Sequence, residues 1–287
     1  MKLLKALVVF FVLLSCSSLQ AQTFGVRAGL NYSTFNGPTL PGESFGFSNG
    51  FHFGLNYSFD FTDVFSLRTE LLYVQKGTKY NYEGPGYYAI HQVTPSVFEY
   101  GDYEYFLNIS NAYISIPIVA NIRLNRKWEV FGGAYVDILV GPTGRGNVRF
   151  ESIDNPLDVV FRQSLDHNYS SSAITQILGQ YLGGINDIGI FVGDEEVTLP
   201  RFAGAHSQLG YRAGTLINSF DFGLTAGAHY FLNRGFFIGA QASYGFPDLT
   251  DNNVDYRLQE LNEEGTFQFS DDKDSHLGFE VSFGFRF

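Results

Sequence analysis

The sequence is short of the residues on which several protein classes depend. It has one cysteine, one tryptophan and one methionine in 287 residues, and no apolar run reaches the 18 or so residues that a transmembrane helix needs. Cys16 lies in a leader segment, so disulfide frameworks and thiol chemistry are excluded from the remaining chain. Basic residues are also scarce, 18 against 29 acidic ones, and a net charge of −11 argues against nucleic acid as a partner.

The first 21 residues have the composition of a cleaved signal peptide. Two lysines precede an apolar run over 6–14, and small and polar residues follow up to Ala21. This run is too short to cross a hydrocarbon core about 30 Å thick as a helix. We therefore predict cleavage after Ala21. An alternative interpretation makes Cys16 the lipidated first residue of a lipoprotein, although Leu14 is unfavourable two positions before that cysteine.

Glycine and aromatic residues are abundant, and they alternate with a period of two. Over 276–287 every odd position is apolar, whereas the even positions carry glycine, serine, histidine or a single residue of each charge. Such alternation is typical of a β-strand, and the small polar face fits a crowded interior better than open water. The same pattern recurs in seven earlier segments: 24–33, 51–60, 65–73, 113–124, 128–140, 220–232 and 236–246.

The connections between these segments are alternately short and long. Those at 60–63, 125–127 and 233–235 are tight and rich in residues that tolerate hairpin dihedral angles. The long ones lie near 34–48, 77–110, 141–218 and 247–273. This arrangement predicts an all-β protein, an eight-stranded antiparallel transmembrane β-barrel with short periplasmic turns and long extracellular loops. We expect it in the bacterial outer membrane, with both termini periplasmic.

A water-soluble barrel or sandwich with its apolar faces inward is the alternative fold, because eight strands close either kind of barrel. Three features favour the membrane: the glycine-rich polar faces, the placement of all long loops at one end, and aromatic residues at strand ends. These aromatic residues are Phe24, Tyr32, Tyr57, Phe59, Tyr73, Trp128, Tyr230, Tyr244 and Phe287. We predict a single domain over 22–287, with a long loop insertion at about 141–218.

The segment Tyr113-Ile114-Ser115-Ile116-Pro117-Ile118 resembles the tyrosine, apolar, polar, isoleucine, proline, apolar signature of the PorT-like outer-membrane β-barrel families. The stretches 25–32, 70–77 and 221–224 resemble the same families. The resemblance covers the strands from 23 onwards and leaves out the loops. It implies an outer-membrane barrel and no particular biochemical activity. The segment 141–218 departs from the short loops expected of these families.

Charged residues on the inward faces form a predicted structural group in the barrel lumen. They are Arg27, Arg68, Glu70, Arg123, Glu129, Asp137, Asp221, Glu280 and Arg286. Buried charges are costly unless they are paired, so we expect a ladder of arginine–carboxylate contacts. An ion or proton path is the functional alternative. Because an eight-stranded barrel is about as wide as its own side chains, the sequence favours a plugged lumen without a through-pore.

Catalytic and metal-binding patterns are absent from the sequence. His52 and His229 are expected to face the lumen near hydroxyl and acidic residues, but no Gly-x-Ser-x-Gly nucleophile motif accompanies them. Neither HExxH nor a paired-histidine spacing occurs. We therefore predict no enzyme activity, no cofactor and no metal site. Calcium at the acidic residues of 248–255 is an alternative, although the twelve-residue calcium-loop pattern is missing.

The long loops are the expected functional part of the molecule. Apolar residues at helical spacing predict a short helix over 173–182, and two apolar segments around Gly193 predict a hairpin over 188–199. We predict a non-enzymatic scaffold or binding protein, embedded in outer-membrane lipid, whose extracellular loops contact a protein, a glycan or a small ligand. The alternatives are a narrow or gated pore and a lipid-modifying enzyme.

Overall fold

The computed structural model describes residues 22–155, 158–167, 187–204, 207–209, 217–250, 252 and 255–287. The predicted leader over 1–21 and the predicted helix over 173–182 lie outside this set. Eight strands build a barrel wall: β1 (Gln22–Asn36), β2 (Glu43–Asp60), β3 (Phe65–Lys76), β6 (Asn111–Arg123), β7 (Trp128–Gly141), β13 (Phe220–Phe231), β14 (Phe236–Gly245) and β17 (Ser275–Arg286).

The remaining strands lie above one end of this wall, in a part of the molecule that we call the crown. It consists of β4 (Thr78–Ile90), β5 (Val97–Ile109), β8 (Gly144–Ser152), β9 (Val160–His167), β10 (Ile188–Val192), β11 (Glu195–Leu199), β12 (Phe202–Ala203), β15 (Tyr256–Leu261) and β16 (Phe267–Phe269), with their connections. Within the described ranges, no helix is both long and apolar enough to span a membrane.

The wall closes into an antiparallel barrel. Its strands follow the order β1-β2-β3-β6-β7-β13-β14-β17, and β17 pairs with β1 again. The closing pair runs in register from Gly25 opposite Arg286 to Asn36 opposite Ser275. The prediction of an all-β, eight-stranded antiparallel barrel is confirmed, and each predicted wall segment falls within one of these strands or extends one residue past its end.

The apolar faces of the wall point outward. In β17, Phe279, Val281 and Phe283 are 46, 54 and 57% exposed, whereas Glu280 and Ser282 between them are buried. The other wall strands follow the same alternation. A water-soluble barrel would show the reverse arrangement, with the apolar faces inside. The polarity of the two faces therefore excludes the soluble alternative and fits a wall surrounded by lipid.

The three short turns are each closed by a side-chain oxygen. Asn125 Oδ1 accepts the backbone N–H groups of Lys127 and Trp128 at 2.8 and 3.0 Å. Asn233 Oδ1 and Thr62 Oγ1 play the same part in the other two turns. Asparagine and threonine favour such local bonds, and this chemistry explains why the turn positions could be predicted.

Most of the predicted long loop 77–110 extends two strands of the wall. β3 continues into β4 with only Gly77 between them, and β5 continues into β6 across Ser110. β4 pairs with the upper part of β2, and the sheet then continues through β5, β8, β9 and β12. The segment 77–110 is the long connection between two wall strands that was predicted, but most of it forms a β-hairpin of β4 and β5. The cluster Gly84-Pro85-Gly86 resembles a turn in sequence, yet it lies within β4 and opposes 101–103 of β5.

An apolar core fills the crown, in contrast to the polar lumen of the wall. Tyr82, Tyr103 and Phe150 are almost fully buried in it. The predicted hairpin over 188–199 is confirmed, since β10 and β11 pair around Gly193, whose φ of 62° suits glycine. Buried Ile190 and Leu199 place this hairpin against the same core.

Adjacent glycines in β7 provide a test of the crowded lumen. A Cβ atom at inward-facing Gly133 would overlap Ile118 O and lie 2.7 Å from Val119 Cα, both backbone atoms of β6, whereas at Gly132 the nearest atom, Thr225 O, is 3.8 Å away. We expect Gly133→Ala to lower the free energy of unfolding by about 1–3 kcal/mol through overpacking. Urea unfolding in lipid vesicles, followed by the fluorescence of Trp128, measures the change. Gly132→Ala is the control, and equal midpoints for the two variants would contradict the crowding.

Candidate functional site

Two groups of charged side chains fill the barrel lumen, and the larger one is built around Glu70. The Nε atoms of Arg27 and Arg68 lie 2.9 Å from Glu70 Oε2 and Oε1, respectively. All three side chains are buried. Arg68 and Glu70 are two residues apart on β3 and so share its inward face, while Arg27 approaches from β1, on the far side of β2. One carboxylate thus neutralises parts of two guanidinium groups.

Glu129 is the second acceptor of this group. Arg286 forms two bonds with its carboxylate, at 3.1 and 2.9 Å, the forked geometry that favours arginine over lysine. Arg68 Nη1 also lies 3.4 Å from Glu129 Oε1 and 3.0 Å from His229 Nδ1. Arg68 therefore links the Glu70 and Glu129 sites, and the group joins strands that are not neighbours in the wall.

Glu280 extends the group across the lumen from β17. Its Oε2 accepts a hydrogen bond from Gln241 Nε2 at 2.8 Å and lies 3.6 Å from Arg27 Nη2. Gln241 Oε1 in turn accepts a bond from Arg27 Nη1 at 2.9 Å. His52 lies beside this point, with Nδ1 against Asn31 Oδ1. Gln241 and Asn31 were not predicted as members, although both occupy inward-facing positions.

The smaller group lies nearer the crown and centres on Lys76. Its Nζ contacts Asp137 Oδ2 directly, lies 3.9 Å from Asp221 Oδ2 and is 4.1 Å above the ring of Tyr135. His276 Nδ1 is 2.9 Å from Asp221 Oδ2. Lys76 was missed because the predicted strand ended at residue 73. Its even number places it on the same face as Arg68 and Glu70, and continuing the alternation would have found it.

Arg123 does not belong to either group. Its side chain is 34% exposed, it pairs with Asp60 at 3.6 Å, and its Nη1 donates to the backbone carbonyl of Asp63. It lies next to the turn at the end of β6, where the inward face opens to solvent. The prediction of a buried ladder position is corrected for this residue. The other eight predicted charges are all in the two groups.

The lumen is closed between the two groups. A cavity of about 10 Å³ remains there, lined by Arg27, Lys76, Tyr135 and Glu280 among others. This volume is about enough for one water molecule. The charged side chains therefore act as a filling that holds opposite strands together.

The luminal histidines are not arranged around a hydroxyl nucleophile. His52 and Ser58 share the inward face of β2 but are six residues apart, about 20 Å along an extended strand. Thr225 Oγ1 donates to the carbonyl of Ala242. His229 instead contacts Arg68 and Glu129. The predicted grouping of histidine, hydroxyl and acid is not formed at either of these two rings.

A larger cavity lies in the crown, and we call it the crown cavity. Its volume is about 110 Å³. Mainly aromatic and apolar residues of β1, β2, β4 and β5 form one side, and residues of the last long connection, three of them acidic, form the other. Its lining includes Phe35, Glu43, Phe45, Tyr80, Tyr105, Leu107, Ile109, Asp255, Tyr256, Arg257, Leu258, Ser270, Asp272 and Asp274.

Carboxyl groups in the crown cavity interact unfavourably with one another. Burial, together with Asp272, Asp248 and Glu43, raises the pKa of Asp274 to about 7. Burial and the neighbouring Asp272 also raise the pKa of Asp255. Asp248 Oδ1 accepts the backbone N–H groups of Thr250 and Asp274 and so helps to shape the connection. Across the described part of the chain, no group of three or more His, Cys, Asp or Glu residues is placed to hold a metal ion.

Comparison with known proteins identifies the family of this chain. The model of a family described as "Outer membrane protein beta-barrel domain" matches residues 20–251. No curated protein matches the sequence. Three of the similar solved structures are the attachment invasion locus protein Ail of Yersinia pestis, the outer membrane protein OprG of Pseudomonas aeruginosa and the outer membrane protease OmpT of Escherichia coli.

The similarity to these structures extends over most of each chain at low identity. For Ail the identity is 11%, with 94% of this chain and 100% of Ail covered and a TM-score of 0.35. For OprG the identity is 11%, with 93% of this chain and 96% of OprG covered and a TM-score of 0.32. For OmpT the identity is 9%, with 93% of this chain and 96% of OmpT covered and a TM-score of 0.27.

The Lys76 group provides a test of how much the luminal pairs contribute. We expect Lys76→Met to lower the free energy of unfolding by about 3–5 kcal/mol, because Asp137 and Asp221 would remain buried without their cation. Urea unfolding of the inserted barrel measures this change. The matched control is Arg123→Met, whose pair with Asp60 is about one third exposed and should cost at most about 1 kcal/mol. Equal losses in both variants would contradict the assignment.

Proposed function

The chain belongs to the outer membrane protein beta-barrel domain family, and from this premise we propose that it is a non-enzymatic anchor that acts through its crown. The observation that carries this proposal is the contrast between the two cavities. The lumen leaves about 10 Å³ between buried ion pairs, whereas the crown encloses about 110 Å³. The wall then fixes the protein in the bacterial outer membrane, and the crown presents a binding site for a ligand or partner.

The proposed orientation places the short turns and both ends of the wall in the periplasm and the crown outside the cell. The lengths of the connections support it, because barrels of this kind have short periplasmic turns and longer extracellular loops. Aromatic pairs at the turn end, among them Trp128 with Tyr230 and Phe24 with Tyr57, each with ring centroids 5.0 Å apart, are placed to mark one membrane boundary. Such rings favour the boundary between lipid and water. A cleaved leader over 1–21 is consistent with this export route. The finer PorT-like resemblance assigns no further activity.

Lipid is the proposed environment of the wall. The outward side chains of all eight strands are predominantly large and apolar, and closure of β1 onto β17 leaves no unpaired strand edge. Backbone polar groups inside a bilayer must all be paired within the protein, a condition that a closed barrel meets. The crown carries its own apolar core, so its buried apolar side chains are covered by protein and not by lipid.

Ion conductance of the refolded protein tests the proposal directly. Mature protein, residues 22–287, is inserted into planar bilayers after heat-modifiable gel migration has shown that the barrel is folded. We expect no stable conductance steps, because both charged groups obstruct the lumen. Stable, ion-selective steps that change in Glu70→Gln would overturn the proposal and make transport the function. Arg123→Gln, at the mouth, is the control that should leave any selectivity unchanged.

A further inference from the structure

We propose that the crown cavity binds a small organic cation, a primary ammonium group on a short apolar stem, between the carboxylates of the last connection and the tyrosines of β4 and β5. The inference rests on the proposed role of the crown and specifies its ligand. It follows from the charge, the unmet hydrogen-bonding capacity, the aromatic lining and the size of the cavity.

The cavity is rich in carboxyl groups, and its charge becomes strongly negative when they ionise. Glu43, Asp255, Asp272 and Asp274 all line it. Among its described lining residues Arg257 is the one basic side chain, and Arg257 Nη1 already lies 3.6 Å from Glu260 Oε2. Four carboxyl groups thus share a single cation, whose Nη1 lies near Glu260 and whose Nε has no acceptor. A bound ammonium group would relieve their mutual repulsion.

In two of these carboxyl groups one oxygen lacks a hydrogen-bond donor. Asp274 is only 9% exposed, and its Oδ1 has no hydrogen-bond partner; the same is true of Asp272 Oδ1. A buried acceptor without a donor is unfavourable. Glu43 is satisfied, since it accepts the Tyr80 hydroxyl at 2.9 Å and the N–H of Leu40 at 2.8 Å, whereas Arg257 Nε is a buried donor without an acceptor. A ligand that donates N–H groups would supply the hydrogen bonds that these two oxygens lack.

The opposite side of the cavity suits the rest of such a ligand. The rings of Tyr80 and Tyr105 pack edge to face with centroids 5.6 Å apart, and Phe45 lies 5.7 Å from Tyr80. Electron-rich ring faces attract cations. Burial and the neighbouring Glu43 raise the pKa of Tyr80, so its hydroxyl stays protonated and donates. Leu107 and Leu258 add apolar surface for a carbon stem.

The size of the cavity limits the ligand. At about 110 Å³ it is somewhat smaller than a cavity of roughly 150 Å³ that accommodates benzene in another protein. A chain of four or five heavy atoms fits this space. Both a free amine and a lysine side chain of another protein carry the required group, and the probes below distinguish them.

Titration calorimetry of the folded full-length mature protein in detergent micelles is the experiment. The probes are n-butylamine, its uncharged counterpart 1-butanol, N-acetyl-lysine methylamide and Ca²⁺. We expect n-butylamine to bind at pH 8.5 and 1-butanol not to bind. Tighter binding of N-acetyl-lysine methylamide identifies a protein lysine as the source, whereas tighter binding of n-butylamine identifies a free amine. Equal binding of 1-butanol, or binding of Ca²⁺ alone, overturns the inference.

Variants locate the binding in the crown cavity. Asp274→Asn should weaken n-butylamine at least tenfold, and Ser270→Leu should abolish binding by filling the cavity. Glu195→Gln removes an exposed acid of the same crown outside the cavity and should leave affinity unchanged. Heat-modifiable migration verifies that each variant is folded. Unchanged affinity in both cavity variants contradicts the site. A non-conducting barrel without amine binding overturns this inference alone, whereas a conducting barrel overturns the proposed function.

Binding should strengthen as pH rises. A carboxyl group with a raised pKa holds its proton near neutrality, and a cation can replace that proton. The groups that face Asp274 are Asp272, Asp248 and Glu43, with Lys273 and Arg257 adjacent. We expect n-butylamine affinity to increase at least tenfold from pH 6 to pH 8.5 and the increase to shrink in Asp255→Asn. A flat pH profile in the unsubstituted protein would contradict the inference.

Discussion

The paired charges around Glu70 and Glu129 are the interaction on which the wall depends. A barrel of eight strands leaves an interior about as wide as its side chains, and its outer surface is committed to apolar residues. Arg27, Arg68 and Arg286 are therefore enclosed, and each is acceptable only because a carboxylate lies within bonding distance. These contacts cross the lumen between β1, β3, β7 and β17 and fix the cross-section of the barrel.

The molecule changes its internal chemistry along a continuous sheet. On the inward face of β3, Arg68, Glu70 and Lys76 form ion pairs. β4 begins after a single intervening residue, and its Tyr82 and Tyr88 lie in an apolar core. The alternation of side chains does not change across this boundary. What changes is the outer environment, because the wall needs an apolar exterior and a polar filling, while the crown has water outside and hydrophobic packing inside.

The wall was predictable because its signals are local. Period-two alternation identified the strands, and asparagines at 125 and 233 marked their turns. Inward positions of the charges followed from the same period, but their pairing did not, since Arg27 and Glu70 meet through the strand order and stagger of the closed barrel. The crown cavity was out of reach for the same reason. Of its acids, Asp255 lies in the acidic stretch 248–255 that the sequence singled out, but Glu43 and Asp274 do not, and Tyr80 and Tyr105 come from a segment predicted as a loop.

The single-residue links at Gly77 and Ser110 have a mechanical consequence. Because β3 runs directly into β4 and β5 into β6, a force that pulls on the crown is directed along strands whose hydrogen bonds lie across the direction of pull. Hydrogen bonds in this orientation are loaded in shear and bear the force together. A connection that pulled on the end of one strand pair would instead break its hydrogen bonds one after another. A ligand held by the crown would therefore be tethered to the membrane through the stiffest direction of the sheet.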